Sequence, residues 1–381
     1  MTVGAAIAVA ALLWLAREPI ADRVIRDVLN ERGVPAQYTI DAIGFRHERL
    51  SNLVIGDPAR PDLTATRVEV AIGYGLSGPY VSDLRAEGVR LYGRFVDGQL
   101  SLGALDKFRA PNDKTPFALP DLRVSLSDAR ARIETPWGTV GAVLNGRGNL
   151  RQNFAGKLAL VAPTLSAGGC SARDMTFYGD VMVRDVRPSL SGPLRGAVLR
   201  CADGGLSAVA PQIAVNLSLS ENLKSWKGSA DAAIARIVAG SASAERLGVK
   251  ASFAGTAERT TIAVEAAMAG VRSQDFVARS ISLDAKGVVG NITPAIEGRI
   301  AFAEASASDA LRRSIVDAAR TVESTPLGPT AAQIGAALAR MLADSKGQTR
   351  FALAGEGRTA RIEMIAPEFS SASGARRLTM R

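Results

Sequence analysis

The sequence predicts a mainly β fold built of repeating long antiparallel hairpins, and three observations predict it. After Tyr38 the apolar spacing changes from every third or fourth residue to every second one. Clusters of Gly, Ser and Ala interrupt that alternation at intervals. Similar starts recur at Gly156 (GKLALVAP), Gly192 (GPLRGAVL), Gly228 (GSADAAIA), Thr261 (TIAVEAAMAG) and Ile296 (IEGRIAFAEAS), at steps of 36, 36, 33 and 35 residues. A fixed step in this range marks stacked supersecondary units, each burying its apolar face against its neighbours.

The elements before the repeats read as helices. Val3 to Ala16 (VGAAIAVAALLWLA) carries no charge. As a helix it spans roughly 21 Å, short of a hydrocarbon core of about 30 Å. It reads as a membrane anchor over 1–18, as a signal peptide with the Ala8-Val9-Ala10 site, or as a core helix. The chain length and the missing basic flank fit a fragment of a longer chain. Pro19 opens a second helix in which Ile20, Val24, Ile25, Val28 and Leu29 recur at helical spacing; Gly33 and Pro35 end it. That helix covers one end of a β-core or lies at a membrane face.

Strand sequence follows. Val89, Leu91, Gly93 and Phe95 share one face; Arg90, Tyr92 and Arg94 share the other. The stretch APNDKTP (110–116) reads as a long loop. Each later unit holds an alternating strand, a small-residue turn, a hinge such as ARDM (172–175) or AERL (244–247), and a second strand. Ile262, Val264 and Met268 point one way and Glu265 the other. A sheet with one apolar face covers it by curling into a sandwich or barrel, or leaves a groove. The scarcity of aromatics, 5%, and the 37 glycines give little bulk for a filled sandwich.

Near the C-terminus, SDALRRSIVDAARTVES (308–324) and TAAQIGAALARMLADSKG (330–347) are two amphipathic helices, packed on the sheet as a hairpin or lying over a groove. The β pattern returns at TRFALAGEG. The last stretch, ARIEMIAPEFSSASGARRLTMR (360–381), repeats the plan of GKLALVAPTLSAGGCSARDMTF (156–177) and stops midway through it. The segments expected are 1–18 anchor, 19–110 helix and first strands, 111–307 repeating hairpins, 308–347 helical pair, and 348–381 returning strands.

Composition narrows the function. The single histidine, His47, and two cysteines, Cys170 and Cys201, fall short of an ordinary Cys/His zinc framework and starve a Ser-His-Asp mechanism. Scattered carboxylates make no cation cage. No catalytic residues, cofactor or metal are expected. The net charge of +9 is spread along the chain, which fits a surface near anionic lipid or plain solubility. No basic patch interleaved with aromatics marks nucleic acid. Gly73-Tyr-Gly75-Leu-Ser-Gly78 has the GxGxxG spacing, but Pro79 and strand sequence follow it where a dinucleotide site needs a helix, so it reads as a β-turn. Cys170 and Cys201 lie about one repeat apart, as a structural disulfide or as free thiols.

The runs LLWLAREPIADRVIRDVLNERGVPAQYTI and LRAEGVRLYGRFVDGQLSLGALDKF resemble the start of the YdbH family, AsmA-like envelope proteins of Gram-negative bacteria similar in style to TamB and YhdP. The features that match are Arg17-Glu18-Pro19-Ile20-Ala21-Asp22, the exit at Gly33-Val34-Pro35, and the hairpin from Glu87-Gly88-Val89-Arg90-Leu91 to Gly98-Gln99-Leu100-Ser101. They are architectural and cover about the first 110 residues. The resemblance implies an inner-membrane anchor, a curved, groove-like periplasmic sheet, and phospholipid passage between inner and outer membranes, with an outer-membrane or periplasmic partner protein. Some members carry a dicarboxylate-transport label, which no residue here supports. Under that reading Ile262, Val264, Met268, Ile362 and Met364 line the groove; ordinary core packing is the competing role. The alternative function is a structural or assembly factor of the envelope that pairs a sheet edge with a partner and conducts no lipid.

Overall fold

The computed structural model describes residues 33–43, 47–75, 78–96, 99–108, 119–290, 294–321, 345–356, 359–371 and 374–379. The expected anchor, the helix after it, the 110–116 loop and the second helix of the pair up to residue 344 lie outside the described residues. Among those that are described, no helix is long and apolar enough to cross a membrane.

Strands dominate, as the period of two requires. The chain divides into two compact units, with Met1–Leu165, Thr176–Leu190 and Ser220–Asn222 in the first, and Ser166–Met175, Ser191–Leu219 and Leu223–Arg381 in the second. The division falls inside the 111–307 stretch.

The first unit starts with an antiparallel meander of β1 (Ala36–Ile43), β2 (His47–Asp57) and β3 (Arg60–Gly75). Next come β4 (Gly78–Glu87) and β5 (Arg90–Val96), two halves of one line broken at Gly88; both pair with β3. The GxGxxG motif is the β3–β4 hairpin, with Gly75 opposite Gly78. After β6 (Gln99–Ser101) a 3-10 helix over Gly103–Phe108 caps the β2–β3 turn, its Ala104 N–H donating to Asp62. β7 (Arg123–Thr135) then lies parallel to both β4 and β5, the parallel contacts of the unit. β8 (Gly138–Asn149) and β9 (Ala155–Ala167) return to antiparallel pairing.

The second unit carries the repeats. Its long ladder runs β14 (Gln212–Leu219), β15 (Ser225–Ile234), β18 (Arg246–Thr256), β19 (Thr260–Arg272), β20 (Phe276–Val289), β21 (Ala295–Ala307), β22 (Ser345–Glu356) and β23 (Thr359–Ser371), each antiparallel to the next. The repeat starts at Gly228, Thr261 and Ile296 fall on β15, β19 and β21, every second strand. A short ladder continues from it: β12 (Val198–Cys201), β13 (Leu206–Val209), β16 (Arg236–Ala239) and β17 (Ala242–Ala244). The start of β10 (Cys170–Arg184) joins β12, and there Cys170 stands opposite Cys201 in a disulfide. β24 (Gly374–Thr379) pairs with β23.

The first of the two expected C-terminal helices is present as α1 (Asp309–Thr321). Ser308 Oγ accepts from the Leu311 N–H at 3.1 Å and caps it. The expected end of the second helix at Gly347 is corrected: β22 already begins at Ser345. Backbone pairing with β21 claims these residues, and Ser345 Oγ donates to the Ala305 carbonyl.

The long strands break where the hinge tetrapeptides stand. Asp174, Ala197, Ala210, Ala235, Glu245, Gly270, Arg279 and Glu304 follow one another across adjacent strands, outside the regular pairing. Asp174, Ala210, Gly270 and Glu304 have positive φ. A break of this kind inserts a residue, bends its strand and shifts the alternation of faces. Where neighbouring strands break at the same level, pairing resumes on the far side without a slip: Ala269↔Ser280 and Val271↔Ala278 flank the gap on β19 and β20, whereas β21 and β22 pair with a one-residue shift between Phe302 and Ala305. Packing changes parity across the line. Met268 and Ile281 precede it, and Val271, Ala278 and Ala244 follow as a buried cluster that Ile237 and Ala305 join.

The first unit has a similar line of breaks, with a one-residue shift between Leu126 and Ala129 where β7 meets β8. Asn52, Thr66, Gly88, Asp128 and Asn145 stand opposite one another in turn. Leu50, Ala65, Val68 and Ala86 form the cluster on this line, with Leu53, Val89 and Leu126 against it. Here the break is held by charge. Asp128 accepts from Arg90 at 2.6 Å and from Arg130 at 2.9 Å, and its backbone N–H donates to Asn145. The hydrogen bonds from Arg90 and then Arg130 hold the Asp128 carboxyl below its ordinary range.

Two tests follow from the breaks. Gly270 has φ +64°, and a Cβ there would meet the Glu245 carboxyl carbon at 2.7 Å. Gly270→Val should therefore lower stability by about 1–2 kcal/mol, read from urea midpoints, since a left-handed backbone costs that much with a side chain. For Asp128 the pKa is lowered on folding, so its stabilisation is full above the unfolded carboxyl pKa and fades as pH falls through the folded value. Asp128→Asn should be less stable than the parent at neutral pH, and the gap should close in acid; thermal unfolding from neutral pH down into acid reads this.

Candidate functional site

The alternation that makes the second unit's strands also sorts their side chains onto two faces. Following the pairing across strands gives rows of adjacent residues. One row is Phe253, Ile262, Gly287, Ile296, Leu353 and Ile362. The next is Ala251, Val264, Ala285, Gly298, Phe351 and Met364. Then come Val249, Ala266, Leu283, Ile300 and Thr349, and finally Leu247, Met268, Ile281, Phe302 and Gly347. With strands about 4.8 Å apart, a six-residue row runs roughly 24 Å. The four rows hold no titratable group.

The five residues singled out in the sequence fall in these rows, although β19 and β23 are separated by three other strands. Ile262 and Ile362 occupy one row, Val264 and Met364 the next. Met268 differs: it packs against the buried cluster at the line of strand breaks and marks the closed margin of the face. The residues that sequence reading missed are those of the intervening strands, among them Leu283, Ile296, Ile300, Phe351 and Leu353. Each lies in an alternating run, but only pairing tells which parity joins Ile262.

The face is apolar, and among the described residues no second layer covers it. Phe253, Ile262, Val264, Leu283, Ile296, Ile300, Phe351 and Leu353 are all half-buried, and Met364 is 56% exposed. No large side chain among the described residues is fully buried. Among the described elements, every extensive contact of β19, β20 and β22 runs along the ladders; α1 touches β21.

Glycine opposite a ring keeps the face shallow. Phe351 stands across from Gly298, and a Cβ on Gly298 would lie 2.8 Å from its ring. Phe253 over Gly228 and Phe302 over Gly347 repeat the arrangement. The rings therefore lie down on neighbouring backbone instead of standing up into a second layer.

The opposite face is charged. Asp231, Lys250, Glu265, Asp284, Arg299 and Arg350 make one row. Arg279–Glu304 at 2.8 Å and Lys286–Glu297 at 3.2 Å are ion pairs on exposed side chains. A depression of about 690 Å³ lies on this side, lined by Ala233, Gly248, Ala267, Ser282 and Ala301 and by Asp231, Lys250, Glu265, Asp284 and Arg299 of that row. It is open to water, and its walls carry both signs of charge. It is a gap between long side chains rather than a lipid cavity.

Of the remaining residues considered, His47 opens β2 on the exposed side, opposite Ala71. Groups of three or more His, Cys, Asp or Glu placed to hold a metal are absent among the described residues.

An apolar sheet face that no described element covers agrees with what comparison finds. A family model described as "YdbH-like: Intermembrane phospholipid transport protein YdbH" matches residues 5–381. The chain belongs to the YdbH-like family. The match extends over the repeats as well as the first 110 residues, so these hairpins are part of the YdbH-like pattern. No curated protein and no solved structure matches.

One substitution tests the ring-over-glycine packing. Gly298→Ala places a methyl against the Asp284 carbonyl oxygen as well as the Phe351 ring and should cost about 1–3 kcal/mol, the usual range for overpacking, in urea unfolding; Phe351→Ala in the same background should recover only the ring's share.

Proposed function

We propose that this protein shields phospholipid acyl chains on the apolar face of its second unit during their passage between inner and outer membranes. Four adjoining rows of uncharged residues, whose large apolar side chains are half-buried and have only ladder neighbours among the described elements, carry the reading. Moving a methylene out of water is worth about 0.8 kcal/mol, so a sixteen-carbon chain crossing water costs roughly 13 kcal/mol. A continuous apolar face removes most of that barrier while the headgroup stays wet. The face needs no reactive group to do so.

In this reading Ile262, Val264, Leu283, Ile296, Ile300, Phe351 and Leu353 contact the acyl chains, Ile362 and Met364 extend the surface, and Met268 closes one margin. Residues 1–18 anchor the chain in the inner membrane with a single pass, and the rest stands in the periplasm. An outer-membrane or periplasmic protein receives the lipid. The disulfide between Cys170 and Cys201 fits an oxidising compartment.

Native mass spectrometry of the protein purified in mild detergent tests it. Phospholipid should accompany the parent chain and be lost from Val264→Asp with Leu283→Asp. Glu265→Ala, on the opposite face, should keep it. A lipid-free mass from a folded parent would assign these rows to packing alone.

A further inference from the structure

The first unit carries an exposed cluster that the acyl-chain reading leaves unused. It sits at the tip of the β7–β8 hairpin. Trp137, in the turn, is 49% exposed and meets Phe95 with ring centroids 5.6 Å apart. The face opposite Phe95 carries the rest: Tyr92 pairs with Arg132, Arg132 with Gly141, and Gly141 with Val161. Tyr92 is 44% and Val161 51% exposed. Arg94 and Arg132 share one carboxylate, Glu134, at 3.6 and 3.9 Å, which leaves a surplus positive charge on two exposed guanidinium groups.

We propose that this tip seats on an anionic bilayer surface, Trp137 and Tyr92 entering the headgroup region and Arg94 and Arg132 meeting the lipid phosphates. Trp and Tyr suit that depth because each has an apolar body and one polar tip. Arginine keeps its charge and binds phosphate through paired donors. Two features favour a bilayer over a soluble acidic partner. Trp137 projects from a hairpin end rather than lining a pocket. In the sequence, the uncharged stretch Val3–Ala16 precedes β1 by some twenty residues. The proposal deepens the lipid-transfer reading by naming where the protein meets its lipid source.

The test uses the full chain with Trp14→Phe and Trp226→Phe, leaving Trp137 as the sole tryptophan. Vesicles of brominated phosphatidylethanolamine and phosphatidylglycerol are compared with brominated phosphatidylcholine. Quenching and a blue shift of Trp137 emission, stronger on the anionic vesicles, are expected. Arg94→Glu with Arg132→Glu should cut the anionic preference at least tenfold, since each cation near such a surface is worth about fivefold in binding. Circular dichroism checks that this variant keeps its strands. Unquenched emission on vesicles that hold the chain, as a soluble acidic partner would leave it, overturns the proposal. So does equal quenching on both vesicles that the arginine changes do not alter. Native mass spectrometry on the same variants separates the two readings: lipid retained with quenching absent overturns the tip contact alone, and a lipid-free parent overturns the apolar-face reading alone.

Discussion

The structure depends on strand breaks being in phase. An extra residue in one strand flips every side chain beyond it to the other face. If β19 broke at Gly270 and β20 ran straight, Val271 and Ala278 would no longer meet, and one would carry its apolar group into water. The breaks instead stand opposite one another from Asp174 to Glu304, so pairing resumes unslipped and each strand's change of parity is matched by its neighbour's. The two well-packed clusters on these lines, around Leu50 and around Ala278, are where the bent strands bring side chains together.

Between the line of breaks and the hairpin turns, the second unit packs differently. Its large residues are spread one row at a time, and glycines take the positions beside the rings. A filled sandwich needs bulky side chains interdigitating from two layers. Phe351 lying over Gly298 does the opposite and satisfies the ring against its own sheet. This arrangement gives stability to each hairpin through its neighbours while leaving an apolar surface for something outside the ladder. The charge on the other face keeps that side in water, where paired exposed charges add little stability.

Parts of this were legible early. The 33- to 36-residue step named every second strand from β15 to β21, and ARDM and AERL marked the breaks at Asp174 and Glu245, because an Asp or Glu among small residues interrupts the alternation visibly. Breaks at Ala197, Ala210 and Gly270 carry no such mark and were missed. The GxGxxG turn was read correctly because Pro79 denies it a helix. The helical stop at Gly347 was misplaced, since an isolated period cannot show that β21 already claims Ser345.

The sequence by itself determined the alternating strands, their repeat and the helix that becomes α1; these rest on local spacing and residue chemistry. Only the tertiary structure decided that Ile262 shares a row with Leu353, that Met268 belongs to a closed margin, and that rings lie over glycines. Those facts depend on register between strands up to about a hundred residues apart, and a shift of one residue would reverse each of them.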